Sequence, residues 1–133
     1  MNRTALLLTF LLALTACGGT SYSIGLDPKS ASNESGTVVF TESTPTALVV
    51  ALTLTNVPSN AIQPTHIHKG RCLQPGAILE SLNPVQNSVS SGATVLSTTA
   101  IPGTLKALKG STYVDVHQAT TALNRIVSCG NIE

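Results

Sequence analysis

Apolar and polar side chains alternate with a period of two along the first half of the chain. The clearest run is residues 48–55, and a run of mostly β-branched residues at 37–41 comes shortly before it. Because successive side chains of a β-strand point to opposite faces, this alternation predicts strands that bury one face. Pro45 and Pro58 flank the longer run, at places where a strand can end without losing a ladder hydrogen bond.

Short apolar runs continue in the second half of the chain, at residues 77–82, 94–101, 113–117 and 126–129. They are separated by dipeptides typical of turns, namely Asn83-Pro84, Ser91-Gly92, Pro102-Gly103 and Lys109-Gly110. No long stretch has the period of a helix, and the best helical candidate, residues 119–125, is short. The sequence therefore predicts an all-β fold, either a sandwich or a barrel.

The first residues have the pattern of a secretory signal peptide. A short polar start with Arg3 is followed by an apolar run at residues 5–14, shorter than the about 17–25 residues that a spanning helix needs. The segment Leu14-Thr15-Ala16-Cys17 resembles the bacterial lipobox, in which the signal is cut before the cysteine and the thiol takes a diacylglycerol. This resemblance implies a lipoprotein of the bacterial cell envelope, anchored at a periplasmic or extracellular membrane face. The alternative is a free cysteine after an ordinary signal sequence.

On this interpretation the chain divides into three parts. Residues 1–16 are the lipoprotein signal peptide, residues 17–35 are a lipidated tether rich in Gly, Ser and Asn, and residues 36–133 are the β domain. The tether also has room for a first edge strand at residues 21–26.

Composition narrows the function classes. The chain has 133 residues, of which 10% are charged and 3% aromatic, and it contains no Trp. A hydrophobic fraction of 42% with so few charges argues against disorder, and a net charge of +1 provides no basic surface for nucleic acid. Two Phe and two Tyr are too few for a base-stacking platform or an aromatic cage. The chemistry must therefore come from few residues.

Two cysteines remain once Cys17 carries lipid. In an oxidising compartment Cys72 and Cys129 form an even pair, for which a disulfide is the default. Closing so long a loop stabilises the domain by about 4 kcal/mol on the chain-entropy model. The alternative, two thiolates bound to a metal ion, would have to survive oxidation. We therefore expect the disulfide.

The three histidines are the candidate metal ligands. In extended strands His66 and His68 point to one face and Ile67 to the other, while His117 shares a face with Asp115. Three imidazoles on outer strand faces suit copper or zinc. Asp115 is a candidate hydrogen-bond acceptor that orients an imidazole beside His117. The alternative is that period-two spacing simply places solvated polar residues together.

Three segments are similar in order and context to the Cu/Zn superoxide dismutases, namely His66-Ile67-His68-Lys69-Gly70-Arg71-Cys72, Val114-Asp115-Val116-His117 and Val127-Ser128-Cys129-Gly130-Asn131-Ile132. The resemblance covers roughly the C-terminal half of the chain. It implies a Greek-key β-barrel in which His66, His68 and His117 bind copper. It also implies that the disulfide links the loop beside the site to the last strand.

The chain also departs from that family. No histidine lies between His68 and His117, so the family's bridging ligand and zinc ligands have no counterpart, and Glu80 is the only acidic residue of that span before Asp115. The arginine that guides superoxide is displaced, since Arg125 lies one position early. An alternating strand sends it to the other face unless a bulge corrects the register. The resemblance therefore implies copper binding with at most residual superoxide dismutase activity.

A second resemblance is to the CHRD domains, which carry a His-Ile-His-x-Gly segment and a Gly-x-x-Tyr-Val-x-Val-His strand, here residues 66–70 and 110–117. These domains resemble secreted β-sandwich binding modules without a settled catalytic role. The alternative function is thus a metal-free binding or structural module on the membrane surface. Zinc on the same three histidines ranks behind copper, because no partner base for hydrolysis is evident. The expected ligands are copper or superoxide.

Overall fold

The computed structural model describes residues 19–74 and 76–133. It contains eight strands and one helical turn, which are β1 (Ser21–Pro28), β2 (Ser35–Thr44), β3 (Ala47–Val57), β4 (Ile62–Lys69), β5 (Ile78–Gln86), β6 (Ala93–Pro102), α1 (Leu105–Leu108), β7 (Thr112–His117) and β8 (Ile126–Ile132). The all-β fold that the sequence predicts is confirmed.

The strands form one antiparallel sheet in the order β5-β4-β7-β8-β1-β2-β3-β6. Its two end strands, β5 and β6, lie side by side, and Asn83 links them by hydrogen bonds to Thr98 and Thr99. The sheet thereby curls into a nearly closed barrel. Strands β4, β5 and β6 follow one another along the chain and lie side by side, and β7 then returns to lie beside β4. The spatial order β7-β4-β5-β6 is the Greek-key arrangement.

The barrel interior is built by the period-two pattern. On β3 the apolar residues of that pattern are at most 2% exposed, namely Leu48, Val50, Leu52 and Leu54. Phe40 on β2 and Ile67 on β4 are fully buried in the same core. Burial of such a side chain is worth about 1.5–3 kcal/mol relative to exposure, so the apolar face of each strand fixes which side lies inward.

Residues 21–28 belong to the folded domain rather than to a tether. They form β1, which pairs with β2 on one side and with β8 on the other, so the strand lies inside the sheet and not at an edge. Ile24 and Leu26 enter the core. Two isolated apolar residues in a Gly and Ser context are a weak local signal, and the two neighbouring strands supply the backbone partners that make the segment a strand.

Two further local predictions differ from the structure. Residues 119–125 form turns, and the only helix in the described ranges is α1, whose preceding residue Thr104 accepts a hydrogen bond from the Ala107 N–H. Asn83-Pro84 lies inside β5 instead of ending a strand, at a register shift against β4. A proline is tolerated there because β5 is an end strand of the sheet.

The expected disulfide between Cys72 and Cys129 is present, with the two Cα atoms 5.9 Å apart. It joins the loop between β4 and β5 to β8. The Cys72 N–H also donates to the Asn131 side chain at 2.9 Å, so two bonds fix this loop on the sheet. The two sulfurs are therefore not available as metal ligands while the bridge is intact.

The predicted signal peptide and Cys17 lie outside the described residues. Within the part of the chain that the structure describes, no helix has the length and apolar character needed to cross a bilayer.

Candidate metal centre

Two neighbouring strands position all the histidines. In the antiparallel pair β4 and β7, His66 lies opposite Asp115 and Ile67 opposite Val114. Ile67 and Val114 are fully buried in the core, and the histidines of β4 therefore point to the other face, as the alternation predicts. His117 follows two residues after Asp115, which places its side chain on the same face.

Four side chains converge at one point. The Nδ1 atom of His66 is 3.0 Å from the Nε2 atom of His117. The Oδ1 atom of Asp115 is 3.1 Å from that His117 nitrogen and 3.2 Å from the Nε2 atom of His68. Two ligand atoms on an ion about 2.0 Å away, arranged tetrahedrally, are about 3.3 Å apart. The four ligand atoms, all within 4.8 Å of one another, can therefore hold a metal ion.

The cluster is largely buried. The histidines lie on an outer strand face, yet Asp115, His117 and His68 are only 1%, 5% and 8% exposed. Only His66 is partly accessible. Cys129 lies opposite Asp115 on β8, and directly opposed residues share a face. The disulfide thus draws the loop between β4 and β5 towards this face.

Several polar atoms of the cluster lack hydrogen-bond partners. Among the described atoms these are the Nε2 atom of His68 and both carboxylate oxygens of Asp115. The Nδ1 atom of His117 is also unpaired, but it is the ring nitrogen other than the Nε2 atom that meets His66 and Asp115. Buried polar atoms are almost always paired, and an unpaired one costs about 1–3 kcal/mol. The Nε2 atom of His68 and the Oδ1 atom of Asp115 lie 3.2 Å apart, and a cation bound between them would satisfy both lone pairs. The donor set of three imidazoles and one carboxylate suits a divalent transition metal.

His68 is oriented by groups outside the cluster. Its Nδ1 atom lies 2.9 Å from the Gly76 carbonyl oxygen, which can only accept, so this nitrogen carries the proton. The Nε2 lone pair is thereby left free for an ion. The Tyr113 ring stacks on the imidazole at 5.1 Å between centroids. Sequence reasoning missed the role of Gly76, because no local pattern links it to His68.

The charges of the cluster act on one another. Burial lowers the pKa of His66, and the neighbouring His117 lowers it further. For His117 the contact with the Asp115 carboxylate raises the pKa above the usual imidazole value. In the absence of metal, a proton shared by His66 and His117 is therefore held by His117, where the Asp115 carboxylate stabilises it. Imidazole nitrogen binds metal only when it is unprotonated, so protons and metal compete for the same atoms.

The remaining candidate residues lie elsewhere. Glu80 lies on β5, opposite Ile67 of β4, and is not part of the cluster. A register shift does occur where β7 meets β8, but the Arg125 guanidinium donates to the Ser30 carbonyl at 3.0 Å. That contact holds the guanidinium on the connection between β1 and β2.

Comparison of the chain with protein-family models, with curated proteins and with solved structures finds no match. The assignment of this cluster therefore depends on its own geometry and chemistry.

Proposed function

We propose that this protein is a copper-binding, superoxide dismutase-like lipoprotein of the bacterial cell envelope, and that His66, His68 and His117 hold one copper ion. The observation that carries the proposal is the convergence of these imidazoles with Asp115, where the Nε2 atom of His68 and both carboxylate oxygens have no hydrogen-bond partner among the described residues. The lipobox-like segment around Cys17 supports the location, since lipid attachment there would place the domain at a membrane surface.

Copper is favoured over zinc by the donor set. Imidazole nitrogen suits both ions, and for a given set of nitrogen and oxygen donors Cu²⁺ binds more tightly than Zn²⁺. An exported protein also meets the oxidising conditions in which a disulfide such as Cys72–Cys129 persists.

Superoxide turnover is the lesser part of the proposal. The chain has no histidine that could bridge two metal ions, and the Arg125 guanidinium is bound to the Ser30 carbonyl instead of being free to guide an anion. A copper ion held by the cluster would be reached past the partly exposed His66. We therefore expect copper retention to exceed superoxide dismutation in importance.

The test is copper binding by the lipoprotein purified in detergent, compared with His117→Ala and with Gln118→Ala as the matched control. Gln118 is the exposed neighbour of His117 and contributes nothing to the cluster. We expect one Cu(II) per chain and a nitrogen-rich EPR spectrum for the parent and for Gln118→Ala, and at least a tenfold weaker affinity for His117→Ala. A superoxide-decay assay of the loaded protein against free copper then measures any turnover.

Failure of the parent to bind copper stoichiometrically would refute the metal site. That outcome would favour the CHRD-like alternative, a binding or structural module in which the cluster is a polar network without metal. The contact between the His117 imidazole and the Asp115 carboxylate would then serve as a buried ion pair.

A further inference from the structure

We infer that Asp115 is a direct copper ligand and that its carboxylate makes the site select Cu(II) over Cu(I). The inference depends on the proposed copper function and adds to it the oxidation state that the protein retains. It also changes the role of Asp115 from an acceptor that orients an imidazole to a group that determines specificity.

The position of Asp115 supports direct ligation. Its strand, β7, lies between β4 and β8, so the side chain lies between His66 on one side and Cys129 on the other. It is 1% exposed, and its Oδ1 atom faces two imidazole nitrogens at 3.1 Å and 3.2 Å. Among the described atoms neither carboxylate oxygen has a hydrogen-bond partner. An oxygen in that position would meet any ion that the imidazoles bind.

Burial destabilises the charged form of the Asp115 carboxylate unless a cation compensates its negative charge. An ionised carboxylate in a low-dielectric environment is strongly destabilised, even after the surroundings relax. The imidazoles must be neutral to bind metal, so they supply no positive charge in the loaded state. The ion itself is then the main compensating charge.

The same carboxylate discriminates between oxidation states. The attraction between a carboxylate and an ion grows in proportion to the charge of the ion, so Asp115 stabilises Cu(II) more than Cu(I). Carboxylate oxygen is also a hard donor, whereas Cu(I) prefers soft thiolate and thioether donors. Both effects lower the reduction potential of the bound ion. The site is therefore suited to retaining Cu(II) without cycling.

The rival role is pure orientation, in which Asp115 only holds the His117 ring. Loss of orientation weakens the binding of Cu(I) and Cu(II) together, because both use the same imidazoles. Loss of a ligating charge weakens Cu(II) selectively. The ratio of the two affinities separates the two roles, and a merely structural effect does not change it.

The experiment compares the parent lipoprotein in detergent with Asp115→Asn and with Asp27→Asn. Asp27 is the only other aspartate of the chain, lies exposed on β1 and is not part of the cluster. Cu(II) and Cu(I) affinities are measured separately by competition with a chelator specific for each state. For Asp115→Asn we expect the ratio of Cu(II) to Cu(I) affinity to fall at least tenfold, which raises the reduction potential by at least about 59 mV. Asp27→Asn should leave the ratio unchanged.

A second measurement does not depend on the folding of Asp115→Asn. In Asp27→Asn, Asp115 is the only aspartate, so labelling with carbon-13 aspartate marks Asp115 as the only labelled aspartate carboxylate. The infrared difference spectrum between metal-free and Cu(II)-loaded protein should then show a shift of that carboxylate stretch. An unshifted stretch, or an unchanged affinity ratio in Asp115→Asn, overturns the inference while copper binding stands. A parent that binds neither Cu(II) nor Cu(I) refutes the proposed function and the inference with it.

Discussion

Glu34 shows how a single buried acid carries a cost that the strand pattern does not reveal. It immediately precedes β2, is 5% exposed, and its Oε2 atom has no hydrogen-bond partner among the described atoms. Burial raises the pKa of Glu34, and a hydrogen bond with Gln63 offsets part of that effect. The folded protein therefore binds a proton at Glu34 more tightly than the unfolded chain does.

The sign of the pH dependence follows from that raised pKa. The stabilising contribution of Glu34 is complete below its unfolded value of 4.5 and is lost as the pH rises through the higher folded value. We expect Glu34→Gln to be more stable than the parent at pH 7, with the advantage disappearing below about pH 4.5. Urea unfolding between pH 4 and pH 8 measures this. A less stable variant at pH 7 would mean that the ionised carboxylate makes a favourable contact instead.

At the scale of elements, the loop between β4 and β5 connects the disulfide to the metal centre. Cys72 binds this loop to β8, and the Gly76 carbonyl holds the His68 imidazole in the tautomer that leaves Nε2 free. Gly76 must be a glycine, because a Cβ atom there would lie 1.6 Å from the Lys69 carbonyl oxygen. The Gly76 carbonyl can therefore orient His68 only because the backbone at Gly76 comes this close to the backbone at Lys69.

Gly76→Ala should weaken copper binding through this loop. The added methyl group forces the Gly76 carbonyl away from His68, so the imidazole loses its fixed orientation, and such a loss of support typically costs about 10–100-fold in metal affinity. Gly25→Ala is the control, because a Cβ atom at Gly25 meets nothing within 4 Å. Isothermal titration with Cu(II) measures both. Equal affinities in the two variants would show that the Gly76 contact does not support the site.

At the scale of the whole molecule, the packed barrel begins close to the proposed lipid. β1 starts at Ser21, four positions after Cys17, so lipid attached there would leave only a short connection between membrane and barrel. Two acyl chains are needed for stable anchoring, since one chain gives only marginal binding.

Cys17→Ser should release the protein from membranes. Without the thiol no diacylglycerol can be attached, and we expect the protein to move from the membrane fraction to the soluble fraction, or to retain an uncleaved signal peptide detectable by its mass. The disulfide between Cys72 and Cys129 should be intact in both forms. An unchanged distribution, with an amino-terminal mass that differs from the parent only by the replacement of sulfur with oxygen, would contradict the lipobox interpretation.

The sequence by itself determined which residues lie on each face of a strand, and it identified the three imidazoles as candidate metal ligands. Alternation with a period of two is a local property, so it sends Ile67 inward and His66 outward whichever strands lie alongside. The even pair of cysteines likewise predicted the disulfide without any knowledge of the fold.

Only the tertiary structure decided which side chains meet. The position of β1 between β8 and β2, the burial of the cluster, and the placement of Asp115 between two imidazoles all depend on pairing between strands far apart in sequence. A local pattern assigns a residue to a face but does not identify the neighbouring strand. Asp115 belongs to the cluster because β7 pairs with β4, and that pairing is set by the packing of the whole barrel.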